Sequence, residues 1–221
     1  IVFSVPTGNF GDAYAGFLAK SKLNIPIKKI IVATNENNIL DVFFKKGIYE
    51  SKEVKKTISP SMDIQVASNF ERLLSDLNTK DTESVSNLMN IFQNKKSLTI
   101  KKYLHEKSLN DFISYTINKI ETLNTIKEVY KKYNLIVDPH TAVGICAAQK
   151  YIKKYENIDA ITLATAHPAK FSDAVHKAIN INPSLPENYE NIFQLDEYFD
   201  IIKNDYDSIK NYIHTKLNLA N

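Results

Sequence analysis

Lys29-Ile30-Ile31-Val32-Ala33-Thr34 is a strand whose apolar side chains would point to both of its faces. A strand without polar alternation must be covered on both sides, as in parallel sheets flanked by helices. Ile1-Val2-Phe3-Ser4-Val5 has the same character. It is followed by the loop Pro6-Thr7-Gly8-Asn9-Phe10-Gly11-Asp12 and a helical stretch over residues 13–22, with Ala13, Phe17 and Leu18 on an inner face. After the second strand, Asn38 is positioned to cap a helix over residues 39–45, and Gly47 to stop it. Strand, helix, strand, helix is the rhythm of an α/β domain.

Residues 69–133 read as a helical section. Phe70, Leu73, Leu74 and Leu77 recur at helical spacing, as do Ile117, Ile120, Leu123, Ile126 and Val129, with a polar loop over 78–84. A further helix is expected over 142–151, a strand over 160–164 and a helix from about Ser172. The expected domain boundaries are therefore 1–182, with the helical section inside, and 183–221 as an acidic, aromatic, helical appendage carrying Tyr189, Phe193, Tyr198 and Phe199.

At 221 residues and 43% hydrophobic, the chain is long enough to bury roughly 70% of its unfolded surface. Its net charge of +3 predicts no nucleic-acid or membrane partner. The single cysteine, Cys146, lies in an apolar run and reads as a core residue, so no internal disulfide is available. No His/Cys cluster has ligand spacing, so no metal is expected. No apolar stretch approaches the roughly 20 residues of a membrane span, and a reducing, cytoplasmic setting is expected. The buried-strand pattern at Ile1 predicts a natural chain that begins further upstream.

The chemistry is concentrated between the first strand and the first helix. Glycines at 8 and 11 let successive N–H groups face one spot, and the helix behind adds its positive dipole end. Together they form a site for a phosphate group. The spacing matches neither Gly-x-Gly-x-x-Gly nor a Walker loop. The competing reading is a tight turn capped by Asp12.

Five blocks of the sequence resemble the threonine synthase family, in family order. They are Val5-Pro6-Thr7-Gly8-Asn9-Phe10-Gly11-Asp12-Ala13-Tyr14-Ala15-Gly16, Ile31-Val32-Ala33-Thr34-Asn35-Glu36-Asn37, Ser59-Pro60-Ser61-Met62-Asp63-Ile64, Asp138-Pro139-His140-Thr141-Ala142-Val143-Gly144 and Thr165-Ala166-His167-Pro168-Ala169-Lys170-Phe171. The resemblance implies a C-terminal portion of the type II fold of pyridoxal phosphate enzymes, similar to the tryptophan synthase beta chain. That fold is a three-layer α/β domain with a mostly parallel sheet, here with a helical insertion. It also implies a reaction, conversion of O-phospho-L-homoserine and water to L-threonine and phosphate, with pyridoxal phosphate as electron sink.

By the same resemblance, Gly8, Asn9, Phe10 and Gly11 hold the cofactor phosphate, and Thr165 partners the pyridine nitrogen. Asp12 belongs to the same loop. Since two anions repel, it is expected to turn away toward a backbone or threonine partner. His140, His167 and Lys170 are expected near the substrate, and Ser59–Ile64 is read as scaffold. The family's Schiff-base lysine lies in a Phe-Lys-Asp motif that this sequence lacks. Phe44-Lys45-Lys46 does not match it, so no catalytic residue is assigned in this chain. The lysine is expected in a missing N-terminal portion of the same protein, and the chain alone is expected to be inactive. The alternative is a non-catalytic module that binds a phosphorylated ligand.

Overall fold

The computed structural model describes residues 1–79, 81–155 and 157–217. Positions 80, 156 and 218–221 lie outside the described residues, the last four within the expected appendage. The chain divides into two compact units, Ile1–Ser184 and Leu185–Asn221.

The first unit runs β1 (Val2–Pro6), α1 (Gly11–Leu23), β2 (Lys29–Thr34), α2 (Ile39–Lys46), β3 (Ile48–Glu50), α3 (Phe70–Leu77), α4 (Thr82–Lys95), β4 (Ser97–Thr99), α5 (Lys102–Leu109), β5 (Phe112–Thr116), α6 (Lys119–Tyr133), α7 (Pro139–Lys154), β6 (Ala160–Thr162) and α8 (Ser172–Ile179). Four strands form one parallel sheet in the order β5-β2-β1-β6. Val2 lies opposite both Lys29 and Ala160, and Ile30 opposite Phe112. β3 and β4 make a separate antiparallel pair. No described helix is long and apolar enough to cross a membrane.

Alternation along the strands divides the core into two faces. Val5, Ile30, Val32 and Phe112 pack with Ala13 and Phe17 of α1 and with Leu40, Phe43 and Phe44 of α2. Val2, Ile31 and Ala33 face the other way, onto Val143 and Ala147 of α7. Behind α7, Ile126 and Val129 of α6 close a third cluster with Val137 and Ala142. The sheet is thus sandwiched between helical layers, the arrangement that the all-apolar β2 demands.

α7 sits hard against the sheet because residue 144 is glycine. Ser4 Oγ donates to the Gly144 carbonyl at 2.7 Å. A Cβ on Gly144 would lie 2.8 Å from Thr162 Cγ2 and 3.0 Å from Pro6 Cγ. The edge strand β6 leaves Ile161 43% exposed.

Three sequence expectations need correction. The section over 69–133 is not wholly helical, because β4 and β5 lie within it. Phe112-Ile113-Ser114-Tyr115-Thr116 is aromatic and β-branched, and the unpaired edge of β2 recruits it into the sheet. Ile117 therefore belongs to the end of that ladder, donating from its N–H to the Thr34 carbonyl at 2.9 Å. α6 begins later, at a capping box formed by Asn118 and Glu121, which turns Ile120 out to 70% exposure. Asn38 makes no side-chain cap; Gly47 does end α2, at φ 70°. The second unit contains two short 3-10 turns, Glu187–Tyr189 and Ile192–Gln194, and the helix α9 (Tyr206–Lys216), capped by Asp205.

Gly144→Ala is expected to destabilise the full-length protein by about 1–3 kcal/mol, the usual range for overpacking. The shift in the urea midpoint against the parent measures it, and an unchanged midpoint would show that β6 yields freely.

Candidate functional site

β1 ends in hydrogen bonds that continue its ladder. Thr7 N–H donates to the Ala33 carbonyl at 2.8 Å, and Thr7 Oγ1 to the Val5 carbonyl at 2.6 Å. The chain then leaves the sheet and turns at Phe10, which adopts φ 66° and ψ 8°. A left-handed conformation disfavours a non-glycine residue by roughly 1–2 kcal/mol. The ring offsets this by full burial, at 1% exposure. Its centroid lies 5.5 Å from Phe112, 5.8 Å from Phe70 and 6.1 Å from Phe44.

With the ring committed to the core, only the Phe10 backbone is available to a ligand. Among the described residues, the N–H groups from Gly8 to Ala13 donate no hydrogen bond within the protein. The first bond of the helix is Tyr14 N–H to the Phe10 carbonyl, at 3.0 Å. Successive unpaired donors at a helix N-terminus attract an anion. A cavity of about 190 Å³ lies along residues 5–13.

A second cavity, of about 200 Å³, is shared by two loops. Pro6 comes from the end of β1, Gly8 from the loop after it and Asp12 from the first turn of α1, while Thr165 and Ala166 come from the segment after β6. α1 leaves β1 on one face of the sheet, whereas α7 enters β6 from the other. The crevice between the carboxyl ends of β1 and β6 is therefore a topological switch point, the usual ligand position in open α/β sheets.

Of the expected residues, Gly8, Asp12, His140, Thr165 and Lys170 line this shared cavity, while Asn9, Phe10 and Gly11 line only the first. His167 lines neither. Its Nδ1 accepts from Ala169 N–H at 3.2 Å and caps the 3-10 turn Pro168–Phe171. Asp12 departs from expectation. It makes no hydrogen bond among the described residues and faces both cavities from the first turn of α1. The helix opens on the left-handed Phe10, so Asp12 falls inside the first turn and beside its positive end.

His140 is buried, at 3% exposure, with Nδ1 2.8 Å from Asp138 Oδ1 and Nε2 accepting from Ser61 N–H at 3.2 Å. Asp138 caps α7 by accepting from His140 N–H at 2.8 Å and from Thr141 N–H. Thr141 Oγ1 also donates to it. Burial pushes the Asp138 carboxyl up, but hydrogen bonds from His140 and Thr141 outweigh it and hold the group below the ordinary carboxylate range. Cys146 is buried, and burial pushes its thiol up, away from nucleophilic use. Lys45 is bound to Asp41 at 2.8 Å.

Ser61 and Met62 line the shared cavity, although the sequence marks them only as scaffold. A buried polar hub positions their segment. Asn35 Nδ2 donates to Asp63 Oδ1 at 2.8 Å and Asn37 Nδ2 to the same atom at 3.0 Å. Thr57 N–H donates to Asp63 Oδ2 at 2.7 Å. The signal was the recurrence of Asn and Asp in two separate blocks, whose pairing only the fold reveals.

The family model described as threonine synthase, C-terminal, matches residues 141–213. Threonine synthase of Saccharomyces cerevisiae is 42% identical over 241 aligned positions, covering 98% of this chain and 47% of the relative. That of Pseudomonas aeruginosa is 37% identical, covering 96% and 45%. A crystal structure described as PLP-bound threonine synthase from Brucella melitensis superposes with a TM-score of 0.88 at 38% identity, over 97% of this chain and 46% of that one. This chain matches the C-terminal portion of the threonine synthases. It spans about half the length of the curated relatives it matches. The threonine synthase C-terminal match includes Thr165 and Lys170 but not the loop at 5–13, whose likeness rests on the longer alignments.

Asp138→Asn is expected to cost about 1–3 kcal/mol at pH 7, the range for a buried charge-assisted hydrogen bond. Because the folded carboxyl titrates below its ordinary value, its contribution is fully present above about pH 4. It is lost as the pH falls from there through the depressed folded value. Urea unfolding at pH 7 and pH 3 should show a smaller acid loss in the variant; an equal loss would mean that Asp138 does not carry it.

Proposed function

We propose that this chain is the cofactor-holding part of a threonine synthase, converting O-phospho-L-homoserine and water to L-threonine and phosphate. The observation that carries the reading is the run of unpaired N–H donors from Gly8 to Ala13, of which Gly8 and Asp12 also line the crevice that holds Thr165. That donor set fits pyridoxal phosphate, whose phosphate oxygens accept hydrogen bonds from N–H donors and whose ring nitrogen requires a polar partner. The family likeness supports the same reading.

Bound pyridoxal phosphate supplies the electron sink for chemistry at the substrate carbons. The backbone amides from Gly8 to Gly11 hold the phosphate without bringing a titrating group to it. The Thr165 hydroxyl orients the ring nitrogen and leaves it without a full positive charge, which tempers the sink. Lys170, which lines the shared cavity, places a positive charge there for an anionic substrate group. The lysine that moves protons between substrate carbons comes from the remainder of the protein, since no residue of this chain is assigned that role.

The test is made on the full-length protein. Pyridoxal phosphate is added, the complex is reduced with borohydride, and the modified lysine is located by mass spectrometry while phosphate release from phosphohomoserine is followed. Labelling outside this chain with turnover supports the reading. Cofactor binding without turnover makes the protein a non-catalytic binding module, and failure to bind removes both. Thr165→Ala is expected to lower turnover about tenfold, the equivalent of one hydrogen bond near 1.4 kcal/mol, with an unfolding midpoint near the parent's. Parallel loss of stability and turnover would make Thr165 a structural residue.

A further inference from the structure

We infer that His140 is a positioning residue for the loop at residues 8–12, acting as a fixed neutral acceptor rather than as a proton carrier. The inference rests on the reading of that loop as a phosphate cradle.

Both ring nitrogens are already engaged. Asp138 is buried at 1% exposure and held ionised, so the hydrogen between it and His140 belongs to Nδ1, 2.8 Å away. Nε2 then presents a lone pair, and Ser61 N–H fills it at 3.2 Å. The Phe171 ring covers the imidazole, with centroids 4.4 Å apart. A carboxylate behind the imidazole fixes the tautomer, as in other carboxylate–histidine pairs.

The carbonyl of the same residue, in the next peptide group, meets the cradle. Ser61 O lies 2.8 Å from where a Cβ on Gly8 would stand, so Gly8 is free of a side chain at the point of contact. A chain of contacts therefore runs from the N-terminus of α7 through Asp138, His140 and Ser61 to Gly8. A shift in the imidazole moves the Ser61 N–H, and through the Ser61 Cα the carbonyl that bears on Gly8, the first residue of the donor run. His140 also lines the shared cavity, but the direction of its nitrogens gives it to the protein.

The test compares His140→Phe, which keeps a ring against Phe171 without an acceptor, with His140→Gln, whose Oε1 restores one near the Nε2 position. Full-length protein is used, with hydrogen exchange at the Ser61 amide, pyridoxal phosphate affinity and thermal unfolding as readouts. His140→Phe is expected to speed Ser61 exchange and to weaken pyridoxal phosphate binding, each about tenfold, and His140→Gln to bring both within about threefold of the parent. Unchanged Ser61 exchange in a folded His140→Phe protein overturns the inference. So does an equal loss of affinity in both variants while Ser61 stays protected in His140→Gln, because His140 would then act on the ligand directly. If His140→Phe does not fold, His140→Asn, whose amide is too short to reach Ser61, takes its place with the same expected outcomes. If the parent binds no pyridoxal phosphate, the functional reading falls, and Ser61 exchange still decides the positioning role.

Discussion

The burial of one aromatic ring organises the candidate site. Phe10 takes a left-handed backbone conformation that its side chain resists, and it is held there by a cluster of rings from β5, α2 and α3. Each of those elements is fixed by the sheet core, so the direction of the loop after β1 is inherited from the whole apolar face. Turning Phe10 inward leaves the N–H groups on either side of it without internal acceptors. The first N–H groups of a helix have no partner within it, and here they line a crevice open to a ligand.

The opposite wall is held by polar rather than apolar contacts. Asn35 and Asn37 follow directly on β2 and gather the segment over 57–63 through Asp63. His140 then fastens Ser61 from the other face of the sheet. The crevice thus lies where an apolar clamp on the α1 side meets a hydrogen-bonded clamp on the α7 side. Buried networks of this kind fix geometry when every member is satisfied. In the set around Asp63 each amide and carboxylate oxygen has a partner.

What the sequence could disclose follows from how local each feature is. β1, its loop, α1 and β2 are legible because apolar runs and glycines mark them within thirty-four contiguous residues. The α/β layering follows from β2 alone, since its side chains need cover on both faces. β5 was hidden between helical repeats, because its identity as a strand depends on the open edge of β2 rather than on its own pattern. The orientations of Asp12 and His167 have no local trace for a related reason. Which residue opens a helix is decided by Phe10 docking in one case and by a local cap in the other. The partnership of His140 with Ser61 spans 79 positions and has no local trace.

The composition of the cradle bears on how binding responds to conditions. Main-chain amides carry partial positive charge that does not titrate, and the helix dipole behind them acts mainly within its first turn. Affinity for a phosphate group at Gly8–Gly11 should therefore follow the ligand's own second ionisation, near pH 6 for a phosphate monoester. The side chains that bring full charge to the crevice, Asp12 and Lys170, are of opposite sign and both exposed. Solvent and salt screen exposed charges. Selectivity thus rests more on the fixed geometry of the amides than on net charge, which is why the contacts that hold Phe10 and Ser61 in place matter as much to binding as the groups that would touch the ligand.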